Sequence, residues 1–263
     1  MRLVRLIAAL FALAAGPVVQ ATSWSTDISD LWWNQAESGW GMQIVQSHDT
    51  AFVTIYVYRP DRSPVWYSGT ISGPIANMRG DLYETAGPYF GGPFNPAQVG
   101  LRRVGTFAFE SLSIADARVT YTVDGVVVTK NVERQTLVND NNAGLFKGAA
   151  NTRVKSGPAN CATLYAPGKG DAAEVEIVQA GRGSSMQVTL RMQGTSCAMA
   201  NGDYLQFGRF GDVYGSYSCA NGDRGQFYMF EMRANYETFT SRFEVDSAVT
   251  GCKLDGDFAG VRM

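Results

Sequence analysis

Histidine is almost absent from this sequence, since His48 is the only one among 263 residues. A Ser–His–Asp triad would have to use this residue, and no Gly-x-Ser-x-Gly nucleophile elbow is present. The stretch around it, QSHDT, has the composition of a turn, in which a solvated histidine is expected. The sequence also lacks any CxxC pair, so a zinc site has none of its usual ligand spacings. We therefore expect no metal, no cofactor and no histidine-dependent hydrolysis.

Long apolar runs are also missing, with one exception at the very beginning. Arg2 and Arg5 precede and flank an apolar stretch over residues 6–15, and Val19-Gln20-Ala21 offers the small residues that signal peptidase requires. The run is shorter than the roughly 20 residues of a membrane-spanning helix. We predict that residues 1–21 are a cleaved signal peptide, with no membrane span afterwards and a periplasmic or extracellular location.

Positive charge is scarce in the rest of the chain. Cleavage would remove Arg2 and Arg5 from 22 basic residues, which leaves 20 basic residues against 24 acidic ones. These charges are spread along the chain, whereas binding to nucleic-acid phosphates requires a basic patch or stripe. We therefore expect no nucleic-acid partner.

The sequence shows no helical periodicity after the signal peptide. It therefore also lacks a glycine-rich, phosphate-binding loop, because such a loop precedes a helix. Short alternating runs separated by turn residues take its place, which is typical of antiparallel sheets. Residues 118–123 and 126–130 are one example, because Asp124-Gly125 between them suits a two-residue type I′ turn. The sequence predicts an all-β fold.

A polar, turn-rich stretch, VNDNNAG, divides the chain at Val138. The part that follows opens with GLFKG and ends near GDFAG, and this matching glycine spacing suggests two neighbouring strands that close a meander. We predict a β module over residues 22–137, a linker over 138–143 and a second β module over 144–263. Each module is expected to be an antiparallel meander that forms a barrel or a sandwich.

Cysteine is missing from the first module, and all four cysteines occur in the second. An even number in an exported chain indicates two disulfides, for which three pairings are possible. We favour Cys197 with Cys219, which flank a short glycine-containing segment, and Cys161 with Cys252, which would tie the ends of the module together. Asn-Gly-Asp follows closely after both Cys197 and Cys219, and it predicts a turn at both places.

Tryptophan is absent beyond Trp66, so all five lie in the first module. Aromatic faces on a rigid sheet can stack on sugar rings or other flat apolar surfaces at a low entropic cost. Strand alternation should direct one ring of the adjacent pair Trp32 and Trp33 inward and the other outward. The alternative is that nearly all five rings fill the core. The predicted ligand-binding residues are Trp32, Trp33, Trp40, Trp66 and Tyr67, with Tyr89 and Phe90 from a loop rich in proline and glycine.

Three functions are compatible with this pattern. The leading hypothesis is an exported, non-catalytic binding protein, with a glycan as the preferred ligand and a small apolar molecule in a barrel mouth as the next. The second is a secreted glycan hydrolase in which Glu37, among tryptophans, acts as a general acid with a raised pKa. Its partner carboxylate would be Asp49, Asp61 or Glu84. If Glu37 has no catalytic role, it would cap a turn or accept backbone hydrogen bonds. The third is a structural or protein-interaction role in the envelope.

The stretch DLWWNQAESGWG, which begins at Asp30, resembles a pattern in uncharacterised secreted proteins of proteobacteria with a WWNPAESGWG-like opening. Gln35 stands where that pattern often has proline. The resemblance extends over residues 30–135, and the second half, with CANGDRGQFYMFEM, looks like the partner half of such chains. It implies export but assigns no catalytic residue. The meander with a closing strand is similar to lipocalin- or avidin-type barrels, as an analogy of fold only.

Overall fold

The structure is a computed structural model that describes residues 27–164, 171–183, 185–192 and 194–263. It contains two closed antiparallel barrels of eight strands each, which confirms the predicted all-β fold with two meanders. The predicted signal peptide lies outside the described residues. The strands of the first barrel are β1 (Asp30–Trp33), β2 (Gly41–Ser47), β3 (Thr50–Tyr58), β4 (Pro64–Ser72), β5 (Met78–Ala86), β6 (Gly100–Ser111), β7 (Asp116–Val123) and β8 (Val126–Arg134).

The second barrel is built in the same up-and-down order and closes through its first and last strands. Its strands are β9 (Gly144–Ser156), β10 (Asp171–Gln179), β11 (Ser185–Met192), β12 (Thr195–Phe207), β13 (Phe210–Cys219), β14 (Arg224–Ala234), β15 (Thr238–Ser247) and β16 (Lys253–Arg262). One short helix, α1 (Cys161–Leu164), follows β9, and 3₁₀ turns occur at Gln35–Glu37 and Pro96–Gln98. Within the described ranges, no helix has the length and apolar character needed to cross a membrane.

Each barrel has its own apolar core because successive residues of a strand point to opposite faces of the sheet. In β4, for example, Val65, Tyr67 and Ile71 are buried inside the barrel, while Trp66 and Thr70 lie on its surface. The same alternation in the other strands fills both interiors with apolar side chains. The sequence pattern of single strands therefore determines which side chains remain available on the outside.

Two local predictions about strand pairing are confirmed. Asp124 and Gly125 form the tight turn between β7 and β8 with φ angles of 47° and 85°, as a type I′ turn requires. In the second barrel, β9 and β16 are neighbours, and Gly148 lies opposite Gly260. A Cβ atom on Gly148 would lie 1.9 Å from the carbonyl oxygen of Ala259, so the close approach of these two strands requires glycine.

Both favoured disulfide pairings are confirmed. Cys197 on β12 lies directly opposite Cys219 on β13, with 3.9 Å between their Cα atoms. Cys161 on α1 is bonded to Cys252, just before β16, with a Cα–Cα distance of 5.7 Å. Both bonds lie at the same end of the second barrel, where β9 ends and β16 begins. We refer to this end as the distal end.

One turn prediction is wrong, and the predicted hairpin strands 118–123 and 126–130 are longer in the structure. The Asn-Gly-Asp after Cys219 does form a turn, in which Gly222 has a φ of 91°. The one after Cys197, in contrast, lies inside β12, where the pairing with β13 shifts between Ala200 and Asp203. The extra residues are accommodated as a bulge because the flanking apolar residues continue the strand on both sides. Apart from β1 and β2, the strands contain 8–13 residues.

The two barrels meet at a buried arginine, Arg134, the last residue of β8. Its side chain is fully buried, and its Nη1 donates to a carboxylate oxygen of Asp30 over 2.9 Å. The guanidinium carbon lies 4.6 Å from the ring of Trp32 and 5.0 Å from the ring of Phe210, which begins β13 of the second barrel. Asp30 also accepts a hydrogen bond from the backbone N–H of Arg209 over 3.1 Å. Charge and ring contacts thus join the two barrels at this junction.

The segment predicted as a linker, residues 138–143, packs against the second barrel. The backbone N–H of Asp140 donates to the side chain of Gln206, and that of Asn142 donates to the side chain of Gln179, both over 2.8 Å. Asn142 is almost completely buried. The polar residues of this segment therefore form hydrogen bonds to the second barrel in addition to reversing the chain direction.

Candidate functional site

The distal end of the second barrel contains a cavity of about 330 Å³, which we call the distal cavity. Its walls come from the ends of strands around the barrel, and Thr163 and Leu164 of α1 lie at its edge. Six apolar side chains in its wall are Leu190, Met192, Met199, Phe243, Val245 and Leu254. They point inward because they occupy the inward-facing positions of alternating strands, although Met192 and Val245 are only partly buried.

Both disulfides contribute to this end of the barrel. Cys197 and Cys219 line the distal cavity and bridge two neighbouring strands at its edge. The second bond holds α1 against the segment between β15 and β16, since it joins Cys161 to Cys252. Covalent links in both places restrict the separation of the strands that form the wall.

The cavity lining also contains polar residues, among them Asp171, Asn221 and Asp223. Asp223 accepts hydrogen bonds from the hydroxyls of Tyr217 and Ser247, over 3.1 and 2.6 Å. Thr152 on β9 and Thr195 on β12 also line the cavity, but their hydroxyl oxygens are buried and have no hydrogen-bond partner. Sequence reasoning did not identify this site, because no motif marks residues that only the closure of the barrel brings together.

Two of the predicted ligand-binding residues belong to the core of the first barrel instead of its surface. Trp32 is 1% exposed, and its indole N–H donates to the carbonyl oxygen of Ile28 over 2.9 Å. Tyr67 is 8% exposed, and burial raises the pKa of its hydroxyl. Neither ring is available to stack on an external ligand. Trp33, the outward member of the pair, is half-buried and lines a shallow groove with Asn34 and Glu133.

Trp40 is also engaged by neighbouring side chains. Its ring stacks on Tyr121 with 6.4 Å between centroids, and its N–H donates to the hydroxyl of Tyr121 over 3.0 Å. The ammonium group of Lys130 lies 5.5 Å from the Trp40 ring centroid and forms an ion pair with Glu37. These contacts hold the connection between β1 and β2 against β7 and β8.

Trp66, in contrast, lies in an exposed row of rings on the outside of β3 and β4. It is 54% exposed and lies directly opposite Tyr56 on the neighbouring strand. Phe52 and Tyr58 point outward from the same strand as Tyr56, and both are more than half exposed. We call Phe52, Tyr56, Tyr58 and Trp66 the aromatic strip. Its β3 members were missed as site residues, although the alternation of AFVTIYVY already indicated outward aromatic side chains.

Tyr89 and Phe90 lie in the loop between β5 and β6 and are highly exposed. Their rings contact each other, with 4.7 Å between centroids. Phe90 is 91% exposed, so this loop presents apolar surface to solvent. The structure thus separates the seven predicted residues into core (Trp32, Tyr67), packed edge (Trp33, Trp40) and exposed surface (Trp66, Tyr89, Phe90).

The carboxylates proposed for hydrolysis are held by other side chains. Glu37 follows the cap residue Asn34, which accepts the N–H of Ala36, and its carboxylate pairs with Lys130. Glu84 bridges Arg102 and Arg59 over 2.5 Å each, and hydrogen bonds from these guanidinium groups lower its pKa.

Asp61 is held in a similar way by hydrogen bonds from Ser63. It accepts the N–H and the hydroxyl of Ser63, and these hydrogen bonds lower its pKa. A general acid must be protonated near its working pH, so these environments act against that role at Glu84 and Asp61.

Comparison with known proteins adds no assignment. No protein-family model matches the chain, and no curated protein matches it. Among the described residues, no three side chains of histidine, cysteine, aspartate or glutamate lie together in a group that could hold a metal ion. The resemblance to secreted proteins with a WWNPAESGWG-like opening stays a prediction.

Proposed function

We propose that this chain is an exported, non-catalytic binding protein that holds a small, mainly apolar ligand in the distal cavity of the second barrel. The observation that carries the proposal is the cavity itself, which lies at one end of a closed barrel and whose lining exposes more apolar than polar surface. Small-molecule sites have this composition, and barrel mouths are among their preferred locations. The two disulfides at the cavity support the proposal further, because a preformed wall reduces the ordering cost of binding.

The volume of the cavity limits the size of the ligand. About 330 Å³ lies at the lower end of the usual range for ligand sites. A water molecule takes about 30 Å³ in the liquid, so the cavity has room for roughly ten non-hydrogen atoms. A medium-chain alcohol such as 1-octanol is a suitable first probe.

Methionine methyl groups provide a site-resolved test. Met192 and Met199 line the cavity, whereas Met42 and Met78 lie in the core of the first barrel. In protein with ¹³C-labelled methionine methyls, titration with 1-octanol should shift the NMR signals of Met192 and Met199 and leave those of Met42 and Met78 in place. The absence of saturable shifts at the two cavity methionines would contradict the proposal.

A pair of matched variants checks the location. Leu190→Phe adds volume inside the cavity and should abolish the octanol-induced shifts. Val178→Phe adds the same kind of ring at an exposed position of β10, 58% exposed, and should leave them unchanged. Met192→Phe serves if Leu190→Phe does not fold, since Met199 then remains as the reporter. Undiminished binding in a folded cavity-filled variant would place the ligand elsewhere.

A glycan on the aromatic strip is a second candidate function, and the paired exposed rings of Tyr56 and Trp66 favour it. Such rings offer flat faces without a need for rearrangement. Trp66→Ala should abolish binding to a polysaccharide in affinity electrophoresis. Phe94→Ala, which removes another exposed ring, should leave that binding unchanged. Equal retardation of both variants and of the wild type on every polysaccharide tested would exclude this role for the strip.

A further inference from the structure

Many of the exposed apolar side chains of the first barrel lie at one end. At this end β1, β3, β5 and β7 finish and β2, β4, β6 and β8 begin, and we call it the loop end. Its β5–β6 loop presents Tyr89, Phe90 and Phe94, which are 73%, 91% and 68% exposed. Single exposed apolar residues are ordinary, but a group of them marks a site of interaction with a protein or a membrane. The other large apolar side chains exposed at this end include Tyr58, Val99, Leu101, Val126 and Val127.

The opposite end of the first barrel is where the second barrel packs. Arg134 at the end of β8 contacts Phe210 there, and Ile114 between β6 and β7 shares an apolar cluster with Phe230. Leu112 is the one large apolar side chain exposed in the strand connections of that end, which are residues 48–49, 73–77 and 112–115. The loop end therefore lies at the far end of the first barrel from this junction, where another surface can approach it.

The charges at the loop end cancel one another. None of residues 85–101 is charged. Beneath this stretch, Glu84 bridges Arg59 and Arg102, and Arg102 also pairs with Asp124, so the network has no net charge. The β3–β4 turn adds one aspartate and one arginine. An uncharged apolar tip above a neutral layer of mixed charges is complementary to a bilayer whose zwitterionic headgroups, also without net charge, cover an apolar interior.

The rings at the tip are presented by a loop with its own hydrogen bonds. The side chain of Asn95 caps the 3₁₀ turn Pro96–Gln98 by accepting a backbone N–H over 3.0 Å. The N–H of Gly92 donates to the carbonyl oxygen of Tyr89 over 3.3 Å, and the rings of Tyr89 and Phe90 contact each other. Rings that already face solvent can enter an apolar layer with little further ordering of the chain.

We propose that the loop end inserts its aromatic rings into the interfacial layer of a lipid bilayer with zwitterionic headgroups. Aromatic side chains suit this layer, and a tyrosine such as Tyr89 has an apolar ring and a hydroxyl that stays hydrated. The association is peripheral, because only loop and strand-end side chains reach the boundary region. Its strength comes from buried apolar area, since the ion pairs leave no excess positive charge to attract anionic lipid. The inference is independent of the distal cavity.

The test measures co-sedimentation of residues 22–263, which include every described residue, with phosphatidylcholine vesicles. Tyr89→Ser and Phe90→Ser should each lower the vesicle partition coefficient by about tenfold, because each removes a ring that leaves water on binding. Tyr236→Ser is the matched control, since Tyr236 is 96% exposed in the turn between β14 and β15 of the second barrel. It should bind as the wild type does. High salt should leave the binding unchanged, because screening acts on charges and not on apolar burial.

Circular dichroism establishes that each variant is folded, as exposed positions lead us to expect. The proposal is overturned if the wild type does not bind phosphatidylcholine vesicles, or if a folded variant with both substitutions binds them as tightly as the wild type. Binding that needs phosphatidylglycerol and disappears at high salt would also contradict it, since charge would then be the cause. Sedimentation equilibrium without lipid examines a second copy of the chain as the occupant. Wild-type dimers that Phe90→Ser dissociates, without vesicle binding, would assign the loop end to self-association instead.

Discussion

Arg134 is the side chain whose replacement we expect to cost the most stability. In Arg134→Met, the Asp30 carboxylate, which is 10% exposed, loses its buried cationic partner. The carbonyl oxygens of Ile114 and Asp27, now 2.7 and 2.6 Å from the guanidinium nitrogens, lose these donors as well. Removal of one partner from a buried ion pair typically costs 3–5 kcal/mol. Asp30 keeps two backbone N–H donors, so we expect about 4 kcal/mol.

Urea unfolding followed by both tryptophan fluorescence and circular dichroism measures this effect. The tryptophans among the described residues all lie in the first barrel, so their fluorescence reports on that barrel while circular dichroism reports on both. Because Arg134 also packs on Phe210 of the second barrel, the two signals should separate into different transitions in the variant. The change in stability should correspond to a Tm decrease of roughly 10 °C.

Two further variants make the result decisive. Arg118→Met removes an exposed ion pair with Glu110, in which both side chains are about half exposed, and should cost less than about 1 kcal/mol. Arg134→Met combined with Asp30→Leu should recover part of the loss, because it removes the uncompensated carboxylate. The reasoning is refuted if Arg134→Met costs no more than Arg118→Met, or if the double variant is less stable than the single one.

Three other predictions concern the first barrel's charges and the disulfides. Hydrogen bonds from Arg102 and Arg59 lower the pKa of Glu84 below the ordinary value of 4.5. The contribution of Glu84 to stability is therefore complete above that pH and is lost as pH falls through the lowered pKa. Glu84→Gln should therefore be less stable than the wild type at pH 7, and chemical unfolding at pH 7 and below pH 4 should show this difference shrink. Replacement of Cys161 and Cys252 by serine opens a loop of 91 residues and should lower the free energy of unfolding by about 4–5 kcal/mol. Replacement of Cys197 and Cys219, which are 22 residues apart, should lower it by about 3 kcal/mol. Equal urea midpoints for the two variants would contradict this prediction. Glu37→Gln should bind ligand as the wild type does and should release no less reducing sugar from glycans than the wild type. A lower rate of reducing-sugar release in the variant would contradict this prediction.

The parts of the fold that depend on neighbouring residues could be predicted from the sequence. Alternation placed Trp32 and Trp33 on opposite faces, and Asp124-Gly125 identified a hairpin turn because few residue pairs adopt positive φ at both positions. The disulfides followed from the even number of cysteines and their spacing. In each case the physical cause lies within a strand, a turn or a chain constraint.

The candidate site could not be predicted in the same way. The distal cavity depends on which side chains face each other across the closed barrel, and Thr152 and Thr195 are 43 positions apart in the sequence. The role of Arg134 was missed for a similar reason, since Phe210 approaches it only when the barrels dock. Trp32 and Tyr67 were included among the ligand-binding residues because alternation alone does not say which face of a strand is the inner one.

The uneven distribution of cysteine has a consequence for how the molecule matures. The first barrel contains none, so its sheet can close without any oxidation step, and in an exported chain it also emerges first. The second barrel has both disulfides at its distal end, whereas Arg209 and Phe210, which contact Asp30 and Arg134, lie where β12 turns into β13. Oxidation would therefore stabilise the second half alone, and the first half needs no such step to complete its sheet.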